Sequence, residues 1–150
     1  MSEPAEDRRY PKRPMVGASA AVVRDGRVLV AARAAMPGRG VYTLPGGLVE
    51  AGATLAEAAL RELKEEVGVE GAVLAALPAL EIIDRDGEGR ARHHFVVHPH
   101  AARWLAGEPA PGPEALDVRW VTPAEAEQLR TTPGLPGVIA AALALAEVAA

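Results

Sequence analysis

Three glutamates, Glu62, Glu65 and Glu66, stand at positions i, i+3 and i+4 of one segment. On a helix of about 3.6 residues per turn, that spacing brings their carboxylates to one face. Like charges at i and i+4 repel by roughly a few tenths of a kcal/mol unless something neutralises them. A hard divalent cation would do so, and magnesium takes oxygen ligands of this kind. The plainer alternative is a solvated acidic helix face, which is the usual fate of a charge run. If a cation is held there, it can offset the charge of phosphate oxygens and lower the pKa of a bound water.

Those side chains need a helix, and the helix needs something to pack on. Residues 54–67 supply the clearest one. Thr54 and Glu57 are spaced as a capping box, and Gly68 stands where a left-handed C-terminal residue is wanted. Ala56, Ala59, Leu60, Leu63 and Val67 fall on a neighbouring apolar face suited to a sheet. Upstream, Met15 to Arg24 reads as a strand, Asp25-Gly26 as a two-residue hairpin turn, and RVLVAAR as the partner strand. MPGRGVYTLPGG reads as a loop around a short extended piece, Val41 to Leu44. Downstream, AVLAALPALEIID and ARHHFVVHPH look like strands joined by the RDGEGR turn, with Pro78 marking a bulge or an edge. The loop GEPAPGPEA leads to a strand at Leu116 to Val121. A second capping box, Thr122 to Glu125 with Pro123 at the first helical position, opens another helix, and an alanine-rich helix runs from about Gly137 to the end. The order predicts a mixed sheet with helices on its faces, an α+β domain over 15–150. Residues 1–14, interrupted by Pro4, Pro11 and Pro14, are expected to be a flexible tail.

Composition narrows the partners. The net charge is −4, with 20 acidic against 16 basic residues, so no clustered cationic surface for a nucleic-acid backbone is expected. Aromatic residues make up only 3%, which leaves few candidates for a base-stacking platform. Without cysteine, disulfides and thiolate metal sites are excluded, and a reducing compartment suits the chain. The polar, proline-rich N-terminus is unlike a signal peptide. The apolar stretch from Leu135 to Ala150 is too short for a bilayer and carries Glu147. A cytoplasmic location with no membrane partner is expected. The four histidines invite a metal-site reading, but His93 and His94 point to opposite faces of a strand. His94 and His98 are roughly 13 Å apart at about 3.3 Å per residue, so a strand surface with His94 as a substrate contact is expected instead.

GGLVEAGATLAEAALRELKEEVGV, residues 46–69, resembles the Nudix box, G-x5-E-x7-R-E-U-x-E-E-x-G-U with U aliphatic. Gly47 opens it, Arg61-Glu62 is its RE pair, Leu63 its aliphatic position, Glu65-Glu66 its EE pair, and Gly68-Val69 its close. The resemblance extends to YTLPGG, to the strand pair before it and to WVTP near Trp120. One position departs: where the family has a glutamate, this chain has Ala53. In the family that residue ties loop to helix, often with the box arginine. Its loss therefore bears on loop rigidity and rate more than on the three-carboxylate metal site.

The resemblance implies a Nudix-type α/β/α sandwich with a mixed, curved sheet. It implies magnesium, with manganese as a second choice, held by Glu62, Glu65, Glu66 and the Gly46 carbonyl. Arg61 would orient a carboxylate by a salt bridge, although an ordinary helix ion pair serves as well. The family's general base is a box glutamate or a later acidic residue; Glu114 is the best later candidate, with Asp117 behind it. Arg33, Arg39 and Tyr42, near the loop before the box, could meet phosphate or base; Tyr42 and Trp120 also suit simple packing. The implied reaction is hydrolysis of the pyrophosphate bond of a nucleoside diphosphate linked to another group, similar to the ADP-ribose pyrophosphatase branch. The proline that marks many ADP-sugar hydrolases is not evident, since Asp84 and Arg85 lie there. A nucleoside triphosphate pyrophosphohydrolase uses the same box; a non-catalytic nucleotide-binding domain is slightly favoured by Ala53 and opposed by the intact RE and EE pairs. A homodimer is common in such families, but no feature of the sequence demonstrates one.

Overall fold

The computed structural model describes residues 8–36 and 38–149. Two capping motifs and one hairpin turn fix the elements around the glutamates. The hairpin joins β1 (Met15–Arg24) to β2 (Arg27–Arg33) through Asp25 and Gly26, both at positive φ, with Arg24 opposite Arg27. Helix α1 (Leu55–Val67) begins at the expected box: Glu57 N donates to Thr54 Oγ1 at 3.1 Å and Thr54 N to Glu57 Oε1 at 3.2 Å. It ends at Gly68, whose left-handed backbone lets its N–H return to Lys64 O.

The remaining elements, in chain order, are β3 (Tyr42–Thr43) and β4 (Gly46–Leu48) before α1, then β5 (Glu70–Ala76), β6 (Leu80–Arg85), β7 (Ala91–Ala106), β8 (Ala115–Val121), α2 (Pro123–Glu127) and α3 (Leu135–Ala149). All eight strands join one sheet with the path β3-β2-β1-β7-β5; β4 also pairs with β1, β6 with β7, and β8 with β2. Among the strand pairs of the described residues, only β1 and β7 run parallel, which makes the sheet mixed. Alternation along the central strands sends side chains to two cores. Ala18, Ala20, Val22 and Leu29 meet Ala58, Ala59, Leu63 and Val67 of α1, while Ala21, Val28 and Val30 meet Leu135, Ile139 and Ala142 of α3. This is the expected sandwich, α1 on one face and α3 on the other. None of its helices, among the described residues, is long and apolar enough to cross a membrane.

The details differ from the sequence reading in three places. The strand around Pro78 is two strands, β5 and β6, broken at residues 77–79, because proline cannot continue the ladder and Leu77 N turns to Pro99 O at 2.8 Å. Strand β7 runs six residues past His100 to Ala106. Gly46-Gly47, read as loop, is strand: the pair lies against β1, where a Cβ on Gly46 would come within 2.6 Å of Ala18 O. Of the expected tail, residues 1–7 lie outside the described residues. Tyr10, within the described part, donates its N–H to Arg92 O at 2.7 Å and its hydroxyl to Asp86 Oδ2 at 2.9 Å.

Leu63 is the largest wholly buried side chain of α1. Leu63→Ala is expected to cost about 2–5 kcal/mol in urea unfolding, as a cavity between α1 and the sheet. A cost well under 1 kcal/mol would mean that the helix is not pinned there.

Candidate active site

The site is built where β4 touches α1. Ala18 pairs with Gly47 and Ser19 with Gly46. A Cβ on Gly47 would stand 2.6 Å from Glu62 Cδ and 2.8 Å from both carboxylate oxygens. A side chain at position 47 would displace this carboxylate. Gly46 meets the group through its N–H, which donates to Glu66 Oε2 at 3.0 Å.

The loop after β7 brings the third member. Carboxylate oxygens of Glu62, Glu66 and Glu114 lie within 4.8 Å of one another. Glu62 and Glu66 are half-buried, Glu114 is exposed, and Glu65 stands exposed at the next helix position outside this trio. Burial pushes the Glu66 carboxyl up to about 8, with the charges of Glu62 and Glu114 adding to it and the Gly46 N–H opposing. Glu62 is also raised, first by burial and then by the charges of Glu65 and Glu114, against the lowering pull of Arg61. Three crowded oxygen donors, with Glu62 and Glu66 both held above the ordinary carboxylate range, suit a hard divalent cation. The residues present therefore fit the cation that the sequence led us to expect.

Arg61 joins loop, strand and helix. Its guanidinium lies 3.3 Å from Glu50 Oε2 and 3.4 Å from Glu62 Oε1, and donates to Leu48 O at 3.3 Å. Position 53 offers no carboxylate, and Glu50 reaches this arginine from a turn closed by Ala53 N to Glu50 O. The Glu50 pair is largely exposed and worth at most about 1 kcal/mol. Its use is to hold the arginine, and through it Glu62.

The other expected residues are distributed more widely. Arg33, the last residue of β2, and Arg39, on the loop that follows, are both exposed, and Ala34 N in that loop donates to Glu114 O at 3.0 Å, so the loop abuts the trio. Arg39 donates to Ala34 O at 2.6 Å. Tyr42 is buried in the α3-side core and gives its hydroxyl to Asp117, with Arg119 over its ring. His94 is half-buried on β7 opposite Ile83. The histidines do not gather: His93 pairs with Asp84 at 2.9 Å, and buried His100 lies 3.3 Å from Ser19 O. Trp120 packs at the α1-side core. Sequence reasoning gave no role to Gly112, which lies against the Glu66 carbonyl; a glycine in a proline-rich loop carries no signal of what it will touch.

Gly47→Ala tests the contact between strand and carboxylate. The added methyl meets the movable end of Glu62, so the fold survives while the carboxylate swings aside. Mn2+ affinity by calorimetric titration is expected to fall on the order of tenfold with little change in thermal unfolding. Unchanged affinity would show that Glu62 does not depend on this contact.

The family model described as NUDIX domain matches residues 13–142. An ADP-ribose pyrophosphatase of Methanocaldococcus jannaschii is 33% identical over 106 residues, 70% of this chain and 63% of that protein, so the chain spans under two thirds of that relative. A Mycobacterium tuberculosis protein provisionally named 8-oxo-dGTP diphosphatase 2 is 39% identical over 125 residues, 80% of this chain and 82% of the relative. Among solved structures, a bifunctional NMN adenylyltransferase/ADP ribose pyrophosphatase of Francisella tularensis, complexed with AMP and a manganese ion, aligns with a TM-score of 0.67. The identity is 26%, over 88% of this chain and 42% of that one.

Proposed function

The chain belongs to the NUDIX domain family, and we propose that it is a metal-dependent pyrophosphohydrolase acting on a nucleoside diphosphate linked to another group, of the ADP-ribose or nucleotide-sugar type. The observation that carries this reading is the convergence of Glu62, Glu66 and Glu114 on one point beside the β4 backbone. A pyrophosphate brings its own negative charge to that point, so a cation is needed for it to approach. Bound magnesium, or manganese in its place, would neutralise phosphate oxygens and acidify a water.

The chain's own residues do the rest by position. Glu62 and Glu66 would hold the cation, with exposed Glu65 at the next helix position as a further carboxylate. The Gly46 N–H fixes Glu66, and Arg61 fixes Glu62. Glu114 takes the proton of the attacking water. The water oxygen bonds to one phosphorus, the bond from that phosphorus to the bridging oxygen breaks, and two monoesters leave. Arg33, at the end of β2, and Arg39, on the loop tied to Glu114, would meet the phosphates or the group beyond them. Tyr42, with its ring in the core and its hydroxyl on Asp117, is better suited to packing.

Support for this substrate class comes from the archaeal relative and from the Francisella enzyme solved with AMP and manganese. A second reading, a nucleoside triphosphate pyrophosphohydrolase, is favoured by the mycobacterial relative, whose match covers more of both chains. Product analysis separates the two. ADP-ribose with Mg2+ is expected to give AMP and ribose 5-phosphate without inorganic pyrophosphate. Release of pyrophosphate from nucleoside triphosphates, with ADP-ribose untouched, would replace the first reading by the second.

A further inference from the structure

The segment Gly107–Glu114, between β7 and β8, lies along the C-terminal end of α1 and is fixed there at several points. At its start, Gly107 has φ +93°, and a Cβ on it would come within 2.3 Å of Gly68 O. Trp104 Nε1 donates to Gly107 O at 2.8 Å. Arg24, with its guanidinium 3.8 Å above the Trp104 ring, donates to Glu108 Oε1 at 3.0 Å. Further along, Ala110 N donates to Val67 O at 3.2 Å, which satisfies a carbonyl that the helix end leaves without an intrahelical partner. Gly112 then runs against the helix so closely that a Cβ would lie 3.0 Å from Glu66 O. Two residues later comes Glu114, its carbonyl held by Ala34 N and its carboxylate at the trio.

Gly107, Ala110 and Gly112 meet backbone of α1 or of the turn that ends it, while Trp104, Arg24 and Ala34 tie the segment to β7, β1 and the loop after β2; Gly112 is the last of these contacts with α1 before Glu114. The distance from Gly112 to Glu66 O therefore sets the distance from Glu114 to the Glu66 carboxylate, because both are measured from the same helical residue. We propose that Gly107–Glu114 is a positioning strap, and that Gly112 acts on the site solely by setting where Glu114 stands. This rests on the reading that Glu62 and Glu66 hold a divalent cation with Glu114 beside it. Gly112 is a positioning residue: it touches neither substrate nor cation. Its φ is not in the left-handed region, so alanine is conformationally allowed there. The methyl nevertheless needs a few tenths of an ångström that the helix backbone does not give, and the strap moves instead.

The test is a double-mutant cycle on the full chain with Mn2+ as the probe, its affinity read by electron paramagnetic resonance. Glu114→Gln is expected to weaken Mn2+ binding on the order of tenfold, and Gly112→Ala by several-fold. In the Glu114→Gln background, Gly112→Ala is expected to add nothing. A merely structural glycine would weaken binding by the same factor in both backgrounds, and that result, or an unchanged affinity in Gly112→Ala alone, would overturn the proposal. Failure of the site itself has a different signature, since Glu62→Gln and Glu66→Gln would then keep native Mn2+ affinity. Gly107→Ala, at a strained position, is the stronger perturbation. It is expected to loosen binding at least as much as Gly112→Ala and, like it, to lose its effect once Glu114 is gone; an equal effect in both backgrounds would count against the strap.

Discussion

Glu66→Gln is expected to lower cation-dependent hydrolysis on the order of 10²–10³-fold while making the cation-free protein more resistant to heat. The two effects have one cause. The Glu66 carboxyl is half-buried, stands beside the charges of Glu62 and Glu114, and accepts a backbone N–H from Gly46. As an amide it keeps the shape and the hydrogen bond but no longer has to take up a proton on folding at neutral pH. The ionised carboxylate is what a cation would bind, and removing one preorganised electrostatic partner from a reacting site commonly costs a factor of that size. Initial rates and thermal unfolding on one preparation check both halves. Lower activity with lower stability would mark Glu66 as a structural residue, and unchanged activity would remove it from the site.

The second large effect is in the pH dependence of stability. Unfolded, Glu66 titrates near its ordinary value of 4.5; folded and without a cation, burial pushes it up to about 8. Between those values the folded chain binds more protons than the unfolded one, so stability falls as pH rises through that window. The contribution is fullest below 4.5 and is lost by about 8. A bound cation takes the place of the proton, so its affinity rises over the same window and its binding releases a proton. The cation-free protein is therefore expected to melt lower at about pH 8 than at about pH 5.5, and Mg2+ is expected to raise the melting temperature more at the higher pH. Glu66→Gln should flatten both trends. Equal stabilisation by Mg2+ at the two pH values would show that cation and proton do not share a site.

How much of this was legible in the sequence depended on whether the signal was local. The capping box at Thr54 and Glu57 and the Asp25-Gly26 turn are each set by residues within four positions, and each has its expected form. The grouping of the carboxylates was only partly local. Glu62 and Glu66 face β4, while Glu65, between them in sequence, turns outward, and helical spacing alone does not say which edge of a face meets the sheet. Gly46-Gly47 looked like a turn because glycine usually marks one. Here its missing side chain is what lets β4 lie against Ser19 and Glu62, a contact between segments 15 or more residues apart. Ala53 looked like a broken motif, yet Glu50 meets the same arginine from the same loop. The path of Gly107–Glu114 over α1 was not legible at all, because every contact that fixes it joins distant parts of the chain.

The most direct measurement is the anomalous scattering of a crystal grown with Mn2+. The expected result is a manganese peak bonded to Glu62 and Glu66, with Glu114 facing it, that disappears in crystals of Glu66→Gln. A peak elsewhere, or none at a Mn2+ concentration that supports turnover, would contradict the assignment of this carboxylate group as the centre of the chemistry.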